Sequence, residues 1–146
     1  DKRLTFGRWN VYPNAINTIA GEATFSIDFR HASAAVLDAF DSGLRACLPV
    51  DAELSCLFAH APTAFDQQII DVLEQACEAT GQGWQSIRSG AFHDAMYLAG
   101  HCPTAMLFVP SRDGISHNPL EFTEPAQLEA GVRALAWSLF TLAEQP

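Results

Sequence analysis

With 146 residues, 49% of them apolar, the chain is long enough to bury one ordinary core or two small ones, and its longest apolar runs are far too short to cross a bilayer. Seventeen acidic residues against eight basic give a formal charge of −9 without a basic stripe, which argues against nucleic acid and anionic membrane surfaces as partners. No charged, apolar and small-residue signal pattern is seen, so the cytoplasm is the expected compartment; Cys47, Cys56, Cys77 and Cys102 form no CxxC pair, each sits in an apolar pattern, and they are expected to be reduced, buried thiols.

Residues 4–12 (LTFGRWNVY) and 23–29 (ATFSIDF) alternate apolar and polar positions as half-buried strands do, and the connection PNAINTIAGE lets them pair. On the second, Phe25, Ile27 and Phe29 share one face, so Thr24, Ser26, Asp28 and Arg30 share the other. Residues 34–48 set Val36, Leu37, Phe40, Leu44 and Leu48 at helical spacing, with Pro49 as the stop, and 52–58 (AELSCLF) reads as a third strand. This β-β-α-β run is most of a split βαβ unit whose first strand and helix would stand before Asp1, so the chain is expected to be a piece of something longer.

Turn residues and Pro62 in HAPTAF, 60–65, mark a boundary, after which the periodicity restarts. Residues 66–80 form a helix through Ile69, Ile70, Leu73, Ala76 and Cys77, closed by Gly81. WQSI, 84–87, is a short strand leading into SGAFHDAM, whose glycine loop opens a helix to about Gly100. PTAMLFVP, 103–110, is a continuous apolar strand of the parallel-sheet type, and 124–143 a last helix with Thr123 as cap and Pro125 in its first turn. The expected class is α/β, with one segment over residues 1–60 and another over 63–146.

In open α/β sheets, ligands bind beyond the C-terminal ends of strands, and GISHNP, 114–119, follows such a strand. His117 there is either a metal ligand or a turn histidine; a metal centre needs three or more ligands, and no second candidate stands at metal-binding spacing. Glu121 either orients His117 or is an exposed loop carboxylate. The side chains of His93 and Asp94 diverge by about 100° if helical, so adjacency alone makes no catalytic pair. The backbone of Ser89, Gly90 and Ala91, at a helix N-terminus, is an anion cradle or a plain connector. Arg30 either grips a carboxylate with two parallel hydrogen bonds or is a surface arginine at a strand end, and Asn17 stands in a loop where asparagines usually make turns.

Taken in order, YPNAINTIAGE, FSIDFRH, SGAFHDAMYLAG, PTAMLFVPSRDGISHNP and EFTEPAQLEAG resemble the hydantoinase/carbamoylase family of dinuclear metallo-amidohydrolases, relatives of the aminoacylase and carboxypeptidase-G metallopeptidases. The similarity runs over nearly the entire chain. It implies that residues 1–60 are the later part of a ferredoxin-like lid that also forms a homodimer, and 63–146 the C-terminal segment of an α/β catalytic domain. By the same resemblance His117 is a ligand of a site for two divalent ions (Zn, Mn, Co or Ni), with Glu121 behind it, and the other ligands lie outside this chain. Asn17 and Arg30 correspond to lid residues that hold a substrate carboxylate, and Ser89, Gly90 and Ala91 to the backbone that meets that carboxylate from the catalytic side. Phe92 stands where the family pattern has glycine, and Ala20 where it has proline. The implied reaction is hydrolysis of the ureido or amide bond of an N-carbamoyl-L-amino acid or an allantoate-like compound by a metal-activated water, with this chain inactive by itself. An aminoacylase or dipeptidase of the wider superfamily, and a truncated, non-catalytic product keeping only a dimerisation surface, are the alternatives.

Overall fold

The computed structural model describes residues 2–144; Asp1, Gln145 and Pro146, at the ends of the two expected segments, lie outside the described residues. The chain is mixed α/β and divides into two compact units, one up to Pro62 and one from Thr63. Its elements are β1 (Arg3–Tyr12), β2 (Glu22–Arg30), α1 (Ala34–Ala46), α2 (Gln67–Ala79), α3 (Ala95–Leu98), a 3-10 turn at Arg112–Gly114, and α4 (Pro125–Ala143).

In the first unit β1 and β2 pair antiparallel, Arg3 opposite Arg30 and Tyr12 opposite Glu22. From Phe6, opposite Ile27, to Trp9, opposite Phe25, β1 takes three residue steps and β2 two, so β1 carries one extra residue. The bulge lies at Gly7 and Arg8. The Arg8 backbone N–H donates to Ser26 Oγ at 2.9 Å, and a side chain at position 7 would bring its Cβ to 3.1 Å from that same oxygen. The bulge also explains the phase of the sequence pattern: Leu4 and Phe6 are even-numbered, Trp9 and Val11 odd, yet the register puts all four opposite the Ala23, Phe25, Ile27 and Phe29 row. Trp9 stacks on Phe25 with centroids 4.7 Å apart, and Phe29 stacks on Phe40 of α1 at 3.9 Å. Val36, Leu37, Phe40 and Leu44 are the half-buried positions of α1, as the spacing predicts. The helix ends at Ala46, two residues early, because Leu48 precedes Pro49 and is pushed out of the helical region.

The strand expected at 52–58 is not assigned. A strand exists through its neighbour's hydrogen bonds, and the described sheet has two members, β1 and β2. The β-β-α-β reading is therefore observed as β-β-α.

The second unit is built on the packing of α2 against α4. Small residues make the close approach: Ala76 on α2 and Ala134 on α4 are 0% and 2% exposed, with Cys77, Leu107 and Trp137 around them. Ser138 is buried with them, its hydroxyl satisfied by the Ala134 carbonyl at 2.9 Å. Asp66 starts α2, its carboxylate accepting from Ile69 N–H at 3.0 Å, while its own N–H donates to the Thr104 carbonyl at 2.9 Å and ties the helix to the 103–110 segment. Thr80 caps the other end and Gly81 follows at φ +73°, the left-handed position expected after a helix.

Four expectations are corrected here. Residues 84–87 and 103–110 form no ladder, for the same reason as 52–58. The helix after the glycine loop is the single turn α3, beginning at Ala95. The residue capping α4 is Glu124, with Pro125 as its first helical residue, rather than Thr123. All four cysteines are free, as expected, but of them Cys77 alone is buried; Cys47, Cys56 and Cys102 are exposed. No helix of the described residues is long and apolar enough to cross a membrane.

Candidate functional site

Strand alternation places Asp28 and Arg30 side by side on the polar face of β2, opposite Thr5 and Arg3 of β1. The two side chains form a fork: Arg30 Nε donates to Asp28 Oδ1 at 2.8 Å and Arg30 Nη2 to Asp28 Oδ2 at 2.9 Å. Arg3, Thr5, Asp28 and Arg30 line one shallow depression on this face. The hydrogen bonds from Arg30, and secondarily its charge, hold the Asp28 carboxyl below the ordinary aspartate range against an opposing push from burial. The same bonds push the Arg30 guanidinium further up. Asn17 stands in an exposed turn of the β1–β2 connection, which is closed by Gly21 N–H donating to the Tyr12 carbonyl at 3.0 Å.

In the second unit, Ser89, Gly90 and Ala91 do not sit at a helix N-terminus, since α3 begins only at Ala95. The loop is shaped by its own serine. Ser89 Oγ accepts from Ala91 N–H at 3.1 Å and is hydrogen-bonded to His93 Nε2 at 2.7 Å. The His93 ring meets Phe108 edge-on at 5.5 Å. The Ser89–His93 bond escaped the sequence reading, which weighed His93 only against its neighbour Asp94; the four-residue spacing was the available signal. Phe92 packs against Tyr97 with centroids 5.7 Å apart.

His117 is held in a loop braced at both ends. Arg112 N–H donates to the Phe122 carbonyl at 2.8 Å, and the Arg112 guanidinium lies 4.3 Å from the Phe122 ring centroid while Nη2 pairs with Glu124 Oε1 at 2.6 Å. Asp113, Gly114 and His117 all take positive φ, at 56°, 67° and 55°. A histidine at φ +55° needs support, and Glu121 gives it: its Oε2 accepts from the His117 backbone N–H at 2.8 Å. Asn118 adds a turn, its Oδ1 accepting from Leu120 N–H at 2.9 Å. Glu121 thus reaches His117 through the main chain. His117 is exposed, and among the described residues no group of three or more His, Cys, Asp or Glu side chains is placed to hold a metal ion. The donors described here therefore do not compose a two-metal centre. His117 would serve one only with ligands from other residues.

Arg30 and Asn17 belong to the first unit; Ser89 to Ala91, His117 and Glu121 belong to the second. Residues 10–139 match the model of the peptidase family M20/M25/M40. The chain belongs to that family. M20 peptidases are typically dependent on divalent metal ions, and the named relatives are hydrolases. The allantoate amidohydrolase of Escherichia coli (strain K12) is 37% identical over 149 residues, a match covering 97% of this chain and 36% of the relative. An N-carbamoyl-L-amino acid amidohydrolase of Geobacillus stearothermophilus is 31% identical over 147 residues, covering 96% and 36%. Among solved structures, an amidase of the hydantoinase/carbamoylase family from Burkholderia multivorans superposes with a TM-score of 0.88 at 39% identity, covering 99% of this chain and 37% of that one. The M20 chain described here thus spans a little over a third of the length of the curated relatives it matches.

Proposed function

We propose that these residues form the C-terminal part of a metal-dependent amidohydrolase that cleaves the ureido or amide bond of allantoate or an N-carbamoyl-L-amino acid. The observation that carries the reading is the fork on β2: Arg30 already holds a carboxylate, that of Asp28, with two bonds at 2.8 and 2.9 Å. A substrate of this class carries a carboxylate next to the carbon that bears the ureido nitrogen. Gripping it with a planar two-pronged donor fixes where the scissile bond lies, converting binding into orientation.

In this proposal Asn17 and Arg30 hold the substrate carboxylate from a lid, of which β1, β2 and α1 are the later part and which joins two copies into a homodimer. The backbone of Ser89, Gly90 and Ala91 is a carboxylate-binding element of the catalytic domain, Ala91 N–H exchanging Ser89 Oγ for the ligand. His117 is one ligand of the two divalent ions, with Glu121 fixing its backbone, and the remaining ligands come from residues other than those described. Phe92 narrows the space beside the carboxylate and bears on which substrate side chain fits.

The test is a substrate panel for a full-length enzyme carrying these residues. Allantoate and N-carbamoyl-L-amino acids should be turned over with kcat/KM at least about tenfold above N-acetyl-L-amino acids and dipeptides. The reverse order would replace the proposal by an aminoacylase or dipeptidase. Arg30→Lys should then lower kcat/KM at least about tenfold on a substrate with a free carboxylate, equivalent to roughly 1.4 kcal/mol, and far less on its carboxamide analogue. Equal losses on both would remove Arg30 from the carboxylate.

A further inference from the structure

Arg3 has no role in the reading above, yet the register of the hairpin sets it directly opposite Arg30, as Thr5 stands opposite Asp28. Side chains directly opposite in an antiparallel pair start about 4.5–5.5 Å apart, and like charges so placed repel. Asp28 offsets the charge of Arg30, to which both its oxygens bond. Nothing comparable offsets Arg3, whose exposed side chain makes no ion pair or hydrogen bond among the described residues. The local charge also runs against that of the whole chain. β1 and β2 hold three of the eight basic residues but two of the seventeen acidic ones, Glu22 and Asp28, and Glu22 stands at the far end of the hairpin, across from Tyr12. A chain of formal charge −9 thus keeps an unmatched guanidinium beside Arg30, in the same depression of about 270 Å³.

We propose that Arg3 is a specificity-determining residue that receives a second anionic group of the substrate, so that the preferred ureido acid is a dianion with a carboxylate at the end of a short side chain. This rests on the reading of Arg30 as the clamp for the first carboxylate. A dianion set across the hairpin turns the repulsion between the two arginines into a bridge, an attraction that a neutral side chain of the same shape cannot supply. Asp28 opposes the second carboxylate only weakly, because its own charge is already met by Arg30. Arginine suits the task, since its planar fork grips a carboxylate with two parallel bonds and stays charged at any assay pH. The competing role is that of a solvated arginine at a strand end, which would be indifferent to the charge of the substrate side chain.

The experiment uses the full-length enzyme and two substrates that differ in side-chain charge alone, N-carbamoyl-L-aspartate and N-carbamoyl-L-asparagine. The wild type should favour the aspartate compound at least about fivefold in kcat/KM at low salt, and Arg3→Gln should bring that ratio to within about twofold of one. Arg3→Lys, which keeps the charge and loses the fork, should retain part of the preference. The wild-type ratio should also shrink as salt approaches about 1 M, where the Debye length is about 3 Å. Arg3→Gln removes one of two facing like charges, so its Tm should not fall, which separates lost selectivity from lost folding. A wild type without the preference, or an Arg3→Gln variant that keeps it, overturns the proposal. Arg30→Lys is assayed alongside on N-carbamoyl-L-asparagine and on the analogue whose α-carboxylate is a carboxamide. If it discriminates between these two while Arg3→Gln leaves the aspartate-to-asparagine ratio unchanged, the Arg3 role alone falls. If Arg30→Lys affects both equally, the clamp reading falls and takes this inference with it.

Discussion

Gly131, in the second turn of α4, offers a direct test of how the second unit is packed. A Cβ built there would lie 2.5 Å from Val109 Cγ1, a separation that real methyl groups do not reach. The obstacle is stiff, because valine carries its two methyls on Cβ and has few χ1 choices. Gly131→Ala should gain about 1 kcal/mol of helix propensity and lose about 1–3 kcal/mol to overpacking, for a net destabilisation of roughly 1 kcal/mol. For a unit of this size that is a fall of about 4–8 °C in Tm. Gly43 is the internal control: it lies inside α1, nothing is within 4 Å of its would-be Cβ, and Gly43→Ala should stabilise by about 0.5–1 kcal/mol. Thermal and urea unfolding, with amide exchange resolving α1 from α4, reads both effects. Adding Val109→Ala to Gly131→Ala should relieve the clash, giving a favourable coupling of about 1 kcal/mol in a double-mutant cycle. If Gly131→Ala stabilises as much as Gly43→Ala does, α4 does not lie against the 103–110 segment as described.

Replacing Asp66 by Ala removes the side chain that accepts from Ile69 N–H and should cost the second unit about 1 kcal/mol in urea unfolding. His117→Gly is a cleaner probe of metal ligation than His117→Ala, because glycine accepts φ +55° without strain. In the full-length enzyme it should lower metal content below two ions per subunit, as read by elemental analysis, while metal-free Tm stays unchanged; full metal content would exclude His117 as a ligand. The Asp28 carboxyl is held below its ordinary range, so the fork is formed above that range and its contribution is lost as pH falls through the folded-state value; the raised Arg30 stays protonated at any assay pH. A carbon-detected NMR titration of Asp28 should therefore show a midpoint below that of a free aspartate, and Arg30→Lys should shift it upward.

The helices were legible in the sequence because each carries its own evidence: four apolar positions at helical spacing in α1, and in α2 a similar row of apolar positions closed by Gly81. The segments 52–58, 84–87 and 103–110 were not, since alternation or apolarity says that a stretch can be a strand while a neighbour decides whether it is one. The glycine loop was misread for a local reason. Ser89 turns its hydroxyl onto the Ala91 amide and onto His93, and that competition with the backbone delays the helix to Ala95. Arg30 was singled out from the face it occupies, yet Asp28, on the same face two residues away, went unremarked as its partner although the same alternation placed it there. At His117 the sequence offered a loop and a ligand type; the positive φ and the carboxylate that supports it are visible only in three dimensions.

The extra residue in β1 acts as a parity device. Because side chains alternate strictly along a strand, a single inserted or deleted position exchanges inside for outside for everything beyond it. The bulge cancels that exchange: three steps in β1 face two in β2, so Trp9 and Val11 stay on the Phe25 side, and deleting Gly7 or Arg8 would restore unbroken pairing with Trp9 still opposite Phe25. The chain's hydrophobic code is thus written in two reading frames joined at Gly7 and Arg8. Protein engineers who graft or circularly permute this hairpin with its bulge inherit both frames, and any segment spliced in after Arg8 has to carry its apolar residues at odd-numbered positions.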